Sequence, residues 1–167
     1  MKKPAGNIVL IGMPGAGKSA VGPLLAEALH MEFADTDVGI RKDTGRPLQE
    51  IIDSDGPAAF MAIEERIVLS RQYKNTVIAT GGSVIFSERA MGHLKSGGVV
   101  VYLKVPFDEM ERRLKDAATR GIVLFPGQGL REMYGQRAPL YEKYADIVID
   151  CPDTDFKSVV AKVIEKL

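Results

Sequence analysis

Residues 12–19 read Gly-Met-Pro-Gly-Ala-Gly-Lys-Ser, and this segment constrains the fold more than any other part of the chain. It follows the continuous apolar run 8–11, which has the pattern of a strand buried on both faces. It precedes residues 19–29, where apolar side chains recur at helical spacing. A glycine-rich loop between a strand and a helix lets backbone amides surround a polyphosphate without side chains intervening. The sequence therefore predicts a loop that binds the phosphates of ATP, and residues 12–19 are called the phosphate loop below.

The last two residues of the phosphate loop carry its chemistry. Lys18 supplies a positive charge for the β- and γ-phosphates, and Ser19 offers a hydroxyl to Mg²⁺. The N-terminus of the following helix adds partial positive charge. The predicted nucleotide-binding residues of this region are Gly12, Met13, Pro14, Gly15, Ala16, Gly17, Lys18, Ser19 and Ala20.

Short apolar strands alternate with helical patterns along the rest of the chain. Strands are predicted at 8–11, 33–34, 76–79, 99–103 and 146–149, and helices at 19–29, 47–52, 57–70, 107–118, 130–144 and from 156 onward. The glycine-rich stretch 121–129 lacks periodicity and is interpreted as a loop or lid. This alternation predicts one α/β domain over residues 1–167, with a five-stranded parallel sheet covered on both faces.

Composition excludes several classes of protein. Lys and Arg number 22, as do Asp and Glu, so no net charge attracts nucleic acid or an anionic membrane. The single cysteine, Cys151, cannot form an intramolecular disulfide. No apolar stretch approaches the length of a membrane-spanning helix. We expect a cytoplasmic protein that binds neither nucleic acid nor membrane.

Two polar clusters follow predicted strands and should meet at the carboxyl edge of the sheet. Asp35 and Asp37 are two positions apart, so on extended backbone both carboxylates point toward the γ-phosphate. One could hold Mg²⁺ through water, and the other could orient or deprotonate an acceptor hydroxyl. The alternative is a helix-capping acidic turn, since Asp37 precedes a helix-like segment. Gly81-Gly82 indicates a close approach of backbone to a ligand.

With these motifs in order, nearly the whole chain resembles the shikimate kinases. The resemblance rests on the phosphate loop, on 33–37 (Phe-Ala-Asp-Thr-Asp), Gly45, 78–82 (Ile-Ala-Thr-Gly-Gly), Arg120, and 137–141 (Arg-Ala-Pro-Leu-Tyr). It implies the three-layer α/β/α P-loop kinase fold, with a lid around 113–130 and a substrate-binding helical region around 38–73. It also implies ATP and Mg²⁺ as cofactors and a hydroxyl of shikimate as the acceptor.

The resemblance assigns roles to individual residues. Lys18, Asp37 and Arg120 would be catalytic, with Asp37 the candidate base and Arg120 the lid arginine that reaches the transferred phosphate. Ser19 and Asp35 would lie at the metal. Arg137 would grip a substrate carboxylate, as a planar guanidinium does well. Arg113 and Arg120 would join the nucleotide-binding set, with Arg113 stacked on adenine; the alternative for these arginines is a solvated helix charge.

Three departures from the family pattern affect the predicted acceptor pocket, whose residues are Asp37, Met61, Glu64, Gly81, Gly82, Ser83 and Arg137. The family motif Phe-Arg-x-x-Glu is here Phe-Met-Ala-Ile-Glu over 60–64, so Met61 replaces a carboxylate-binding arginine. The family's triple glycine ends in Ser83, and the lid's usual Arg-Pro-Leu-Leu reads Arg-Gly-Ile-Val-Leu over 120–124.

The loss of the arginine should leave Glu64 without its helical partner. We expect Glu64 to pair with another basic residue, such as Arg137 or Arg41, or to face a substrate hydroxyl or amine. The alternative is that Met61 simply fills space beside Phe60.

The phosphoryl-transfer residues are intact while the substrate-reading residues have changed. The sequence therefore favours a small-molecule kinase acting on shikimate or a related polyol acid, as a monomer or weak homo-oligomer. The alternatives are a kinase for another acceptor such as gluconate, a regulatory nucleotide-binding protein that has lost transfer, and a simple ATPase or GTPase switch.

Overall fold

A computed structural model describes residues 4–115 and 121–167 of the chain. Five strands alternate with eight α-helices: β1 (Asn7–Ile11), α1 (Lys18–Leu29), β2 (Glu32–Asp35), α2 (Thr36–Thr44), α3 (Leu48–Asp55), α4 (Pro57–Leu69), β3 (Thr76–Ala79), α5 (Glu88–Ser96), β4 (Gly98–Lys104), α6 (Phe107–Lys115), α7 (Leu130–Tyr144), β5 (Ile147–Asp150) and α8 (Phe156–Lys166). A short 3₁₀ helix at Val84–Phe86 separates β3 from α5.

The sheet has the order β2-β3-β1-β4-β5, and every neighbouring pair is parallel. β1 lies at its centre, and all five of its residues are buried. Such burial explains the continuous apolar run, because both faces of a parallel strand are covered by helices. The predicted α/β fold with a five-stranded parallel sheet is confirmed.

The turn after β2 differs from the predicted extended segment. Asp35 caps α2: its side-chain oxygen accepts hydrogen bonds from the backbone amides of Asp37 (2.9 Å) and Val38 (3.4 Å). Helical backbone therefore begins at Thr36, and Asp37 lies in the first turn of α2. A short acidic side chain at this position supplies the acceptor that the first amides of a helix lack. The alternative interpretation, a helix-capping acidic turn, is therefore correct, with Asp35 rather than Asp37 as the cap.

Helices α2, α3 and α4 pack around a hydrophobic cluster of their own, separate from the main core at the sheet. Its buried members are Ile40, Leu48, Ile51, Ile52, Phe60, Ile67 and Val123. Val123 comes from the stretch 121–129, so this buried residue joins that stretch to the three helices. All of α3 and α4 and most of α2 fall within the predicted substrate-binding region 38–73, and that assignment stays a prediction.

The sequence patterns missed two helices: α2, which entered only as the helix-like segment that Asp37 precedes, and α5. α5 is capped by Ser87, whose hydroxyl oxygen accepts from the Ala90 amide at 3.0 Å, and the helix buries Met91 and Leu94 against the core. Across the described ranges, no helix combines the length and the apolar character needed to cross a bilayer.

Candidate active site

A cavity of about 820 Å³ opens at the carboxyl ends of β1, β2 and β3, where ligands bind in parallel α/β sheets. The phosphate loop, the start of α2 and the glycine pair after β3 all contribute to its wall. The lining residues with polar or charged side chains are Lys18, Ser19, Asp35, Asp37, Arg41, Gln49, Glu64, Thr80, Ser83, Arg112, Arg113, Arg137 and Thr154. The structure thus brings most of the predicted site residues to one cavity.

Glycine is required within the phosphate loop at the start of α1. Gly17 caps this helix with φ +95°, a left-handed conformation that side chains disfavour. A Cβ here would also lie 2.5 Å from the Phe156 ring of α8. α1 begins at Lys18 with no side-chain cap, so no side chain occupies the amides at its N-terminus.

Lys18 is held inside the loop. Its Nζ donates to the carbonyl oxygens of Gly12 (2.7 Å) and Met13 (2.8 Å), and the residue is only 7% exposed. Burial lowers the pKa of Lys18 to about 8, although the charge of Asp37 opposes this shift. An ammonium group has three donors, so one remains for a phosphate oxygen.

Ser19 and Asp35 meet at the mouth of the loop. The Ser19 hydroxyl donates to Asp35 Oδ2 at 2.9 Å, linking α1 to the cap of α2. A hydroxyl and a carboxylate are the hard oxygen ligands that Mg²⁺ takes, usually together with water and substrate phosphates. No cluster of three or more His, Cys, Asp or Glu suited to a metal occurs in the described part of the chain. This donor set therefore fits Mg²⁺ bound mainly by nucleotide phosphates.

Asp37 faces the same cavity with a perturbed carboxyl group. Burial, followed by the charge of Asp35, raises the pKa of Asp37 to about 6, while Lys18 and Arg41 oppose the rise. A carboxylate with such a pKa is ionised at neutral pH and is a stronger base than an ordinary aspartate. Asp35 and Asp37 do converge on the cavity, as residues of a helix cap and first turn rather than of extended backbone.

Glu64 is buried at 2% exposure, in the wall of this cavity. Its Oε1 accepts a hydrogen bond from Ser83 Oγ at 2.8 Å, and its Oε2 has no partner among the described residues. Burial raises the pKa of Glu64 to about 7, the Ser83 hydrogen bond opposes that rise, and nearby Asp37 adds to it. Neither Arg137 nor Arg41 forms an ion pair with Glu64, so Ser83 is the partner that the structure provides.

The glycine pair lies against these acidic groups. A Cβ on Gly81 would overlap Glu64 Oε2 and lie 3.0 Å from Asp37 Oδ1, so a larger residue would displace the Glu64 side chain. The Gly81 amide donates to Thr36 Oγ1 at 3.1 Å. The Gly82 carbonyl accepts from Tyr141 Oη at 2.6 Å. The predicted close approach of the backbone is therefore to the acidic side chains that line the cavity.

Arg137 is buried on α7, with 1% of its surface exposed. Its Nη2 donates to the carbonyl of Val123 at 2.5 Å, and its guanidinium lies over the Phe86 ring at 5.4 Å. Its Nε has no hydrogen-bond partner within the described residues. A buried guanidinium with unused donors in a cavity wall is suited to a carboxylate ligand.

Arg113 lies at the other end of the cavity and is not a solvated charge. It pairs with Glu109 at 2.8 Å, and it donates to the backbone carbonyls of Gly15 (2.9 Å) and Asp153 (2.8 Å). Its side chain is 10% exposed.

Phe156 lines the same end of the cavity as Arg113. It was not predicted as a site residue because an apolar residue at the start of a helix is usually a packing residue. The Phe156 ring and the clamp formed by Arg113 position the loop.

Four predicted residues stand apart from this arrangement. Gly12 and Met13 are buried and do not line the cavity, although their carbonyls hold Lys18. Met61 does not line the main cavity; it lines a smaller one of about 230 Å³ on the other side of Glu64 and Ser83. It packs there against the cluster of α2, α3 and α4, which fits the interpretation that it fills space. Arg120 lies outside the described residues. Cys151 is buried in the core and does not line the main cavity.

Comparison with known proteins agrees with this geometry. The shikimate kinase family model matches residues 14–167. The chain belongs to the shikimate kinase family. It is 36% identical over 165 residues to the shikimate kinase of Colwellia psychrerythraea, covering 96% of each chain. It is likewise 36% identical to the shikimate kinase of Shewanella oneidensis, again with 96% of each covered.

Solved structures of the family superpose on this fold. Shikimate kinase from Acinetobacter baumannii, in complex with shikimate, matches with a TM-score of 0.88 and 32% identity, covering 98% of this chain and 93% of that one. Shikimate kinase from Aquifex aeolicus matches with a TM-score of 0.80 and 32% identity, covering 95% and 94%. The chain is thus an ATP-dependent phosphotransferase that acts on a hydroxyl group of a small molecule. The regulatory and gluconate-kinase alternatives are not favoured.

Proposed function

We propose that this protein transfers the γ-phosphoryl group of MgATP to a hydroxyl of shikimate. The observation that carries the proposal is one cavity with the phosphate loop at one end and a buried arginine, Arg137, in its wall. Asp37 lies near both Lys18 and Glu64, as their mutual effects on pKa indicate. A polyhydroxylated acid matches this arrangement, because it offers a hydroxyl to Asp37 and a carboxylate to Arg137.

The residues would act mainly through positioning and charge. The amides of the phosphate loop hold the triphosphate, and the free donor of Lys18 stabilises charge that develops on the transferred group. Asp37 accepts the proton of the acceptor hydroxyl as its oxygen attacks phosphorus. The unpartnered Glu64 Oε2 accepts a hydrogen bond from another acceptor hydroxyl, while Ser83 fixes the orientation of the carboxyl group. Arg120 would approach the transferred phosphate from the lid.

Ser19 and Asp35 are the residues that would hold Mg²⁺. The bound cation would neutralise charge on the β- and γ-phosphates. We further propose that the protein works in the cytoplasm in aromatic amino acid biosynthesis. We expect it to act as a monomer or weak homo-oligomer and to bind no nucleic acid.

The test is release of ADP from MgATP in the presence of shikimate, quinate, gluconate or an amino alcohol. We expect turnover that depends on shikimate, with a monophosphate ester of shikimate visible by phosphorus NMR, and loss of turnover when Mg²⁺ is chelated. If ATP binds but no acceptor is phosphorylated, the proposal is wrong and the regulatory alternative regains support.

A further inference from the structure

The part of the cavity beside the glycine pair carries two acidic groups, Asp37 and Glu64. Glu64 is buried and Asp37 is half-buried, so solvent screens the charge of both groups less than it would at the surface. A carboxylate ligand entering beside them is repelled unless cations offset that field. Recognition of an acidic acceptor therefore depends on which positive groups in this part of the wall are available.

Most cations that line the cavity are already engaged with the protein. Lys18 bonds two carbonyls of the phosphate loop, and Arg113 is fixed between Glu109 and two backbone carbonyls at the nucleotide end. Arg112, its neighbour, bonds Glu109 as well. Arg137 gives one donor to a backbone carbonyl and keeps others for a ligand.

Arg41 differs from all of these. It lines the cavity from α2, and its guanidinium has no hydrogen bond or ion pair with any residue in the described part of the chain. It follows Asp37 by four residues, so the two side chains lie on the same face of the helix. Its positive charge opposes the rise in the pKa of Asp37, which shows that the guanidinium is close enough to act on that carboxyl group.

Position 61 provides no such charge. Met61 is neutral and lines the smaller cavity, on the far side of Glu64 and Ser83. The acceptor pocket of this chain therefore has no arginine from α4, but it has an arginine with unused donors from α2. The guanidinium of Arg41 is exposed at the cavity wall, so it stays hydrated until a ligand binds. Its planar arrangement of donors matches the two oxygens of a carboxylate.

We propose that Arg41 binds the carboxylate of the acceptor together with Arg137, so that recognition of an acidic substrate comes from α2 instead of from position 61. The inference rests on the proposed function in one respect, that the acceptor is a carboxylic acid. It assigns to Arg41 a direct role in specificity and leaves the chemistry of transfer to Asp37 and Lys18.

Titration calorimetry with shikimate and with its neutral methyl ester tests the proposal without requiring turnover. The variants are Arg41→Gln and Arg41→Lys, with Arg66→Gln as the control. Arg66 is an exposed arginine on α4 that pairs with Asp43 and does not line the cavity. We expect Arg41→Gln to weaken shikimate binding by about 10- to 100-fold, the loss of one charge-assisted contact. Arg41→Lys should recover part of this, and binding of the ester should not change.

Turnover is measured on the same variants. An increase in the KM of Arg41→Gln for shikimate, with kcat and the KM for ATP retained, supports the proposal. Weaker shikimate binding by Arg41→Gln than by the wild type also supports it, even if the wild type proves unable to transfer phosphate. A wild type that binds shikimate but transfers no phosphate would contradict the proposed function and leave the role of Arg41 supported. Equal binding of shikimate by Arg41→Gln and wild type overturns the inference, as does an equal loss for shikimate and its ester. Failure of the wild type to bind shikimate overturns both.

Discussion

Replacement of Glu64 by glutamine tests the buried carboxyl group at the centre of the site. Glutamine has the same shape, and its carbonyl oxygen can still accept the hydrogen bond of Ser83. Its amide nitrogen takes the place of Oε2, near Asp37 Oδ1, since both oxygens lie against Gly81. The substitution thus removes a buried negative charge and provides a donor beside a second carboxylate.

The magnitude follows from the pKa of Glu64. Burial raises it from the ordinary 4.5 to about 7, so the folded chain holds this proton more tightly than the unfolded chain does. The free energy of unfolding therefore falls as pH rises from about 4.5 to about 7, and stays lower above pH 7. The difference corresponds to about 3 kcal/mol at about 1.36 kcal/mol per pH unit. At pH 8, the free energy of unfolding of Glu64→Gln should exceed that of the wild type by much of this difference. For a chain of this size, that corresponds to roughly 6–12 °C in Tm.

The assay is thermal and urea unfolding of the wild type and Glu64→Gln between pH 4 and pH 8. The exposed Glu27→Gln on α1 serves as the matched control, and its stability should track the wild type. We expect Glu64→Gln to equal the wild type at pH 4 and to exceed it increasingly toward pH 8, with weaker acceptor binding as the functional cost. A stability difference between the two proteins that does not depend on pH would show that the pKa of Glu64 is not raised in the folded chain.

Three further predictions concern neighbouring groups. The kcat/KM of the enzyme should fall as pH drops through about 6, where Asp37 takes up its proton, and Asp37→Asn should remove transfer without preventing ATP binding; a fall centred near 4 would contradict the perturbed pKa of this group. Gly81→Ala should destabilise the fold by about 1–3 kcal/mol, because the methyl group overlaps Glu64 Oε2, and the loss should shrink in a Glu64→Ala background when both are compared by urea unfolding. Met61→Arg places a cation three residues before Glu64, so it should raise stability at pH 8 and lower the KM for shikimate; unchanged values of both would show that an arginine at this position does not reach Glu64.

The sequence carried enough information for the phosphate loop and the sheet because both rest on local patterns. The fixed spacing of glycines and Lys18, between an apolar run and a helical one, predicts the loop, and each apolar run predicts a strand. The start of α2 was misjudged because a capping side chain and an extended turn have the same sequence, Asp-Thr-Asp. α5 was missed because its apolar positions are few.

Contacts between residues distant in sequence could not be predicted from local patterns. Arg113 reaches the carbonyl of Gly15, 98 residues away, and this contact decides that it clamps the phosphate loop. The Ser83–Glu64 hydrogen bond joins residues 19 apart on different elements. Sequence reasoning placed both residues in one pocket, but the choice of Ser83 as partner depends on how α4 packs against the turn after β3.

The glycine pair explains how acceptor recognition can change while the chemistry of transfer stays intact. Its two residues are bonded from opposite sides, Gly81 by Thr36 of α2 and Gly82 by Tyr141 of α7. These two helices carry Asp37 and Arg137, so the turn after β3 sets where the candidate base and the buried arginine lie relative to the phosphate loop. Substitutions at exposed cavity positions such as 41, or behind Glu64 at 61, alter charge without touching these bonds. The cation that reads the substrate can therefore move from one helix to another while Asp37 keeps its place beside Lys18.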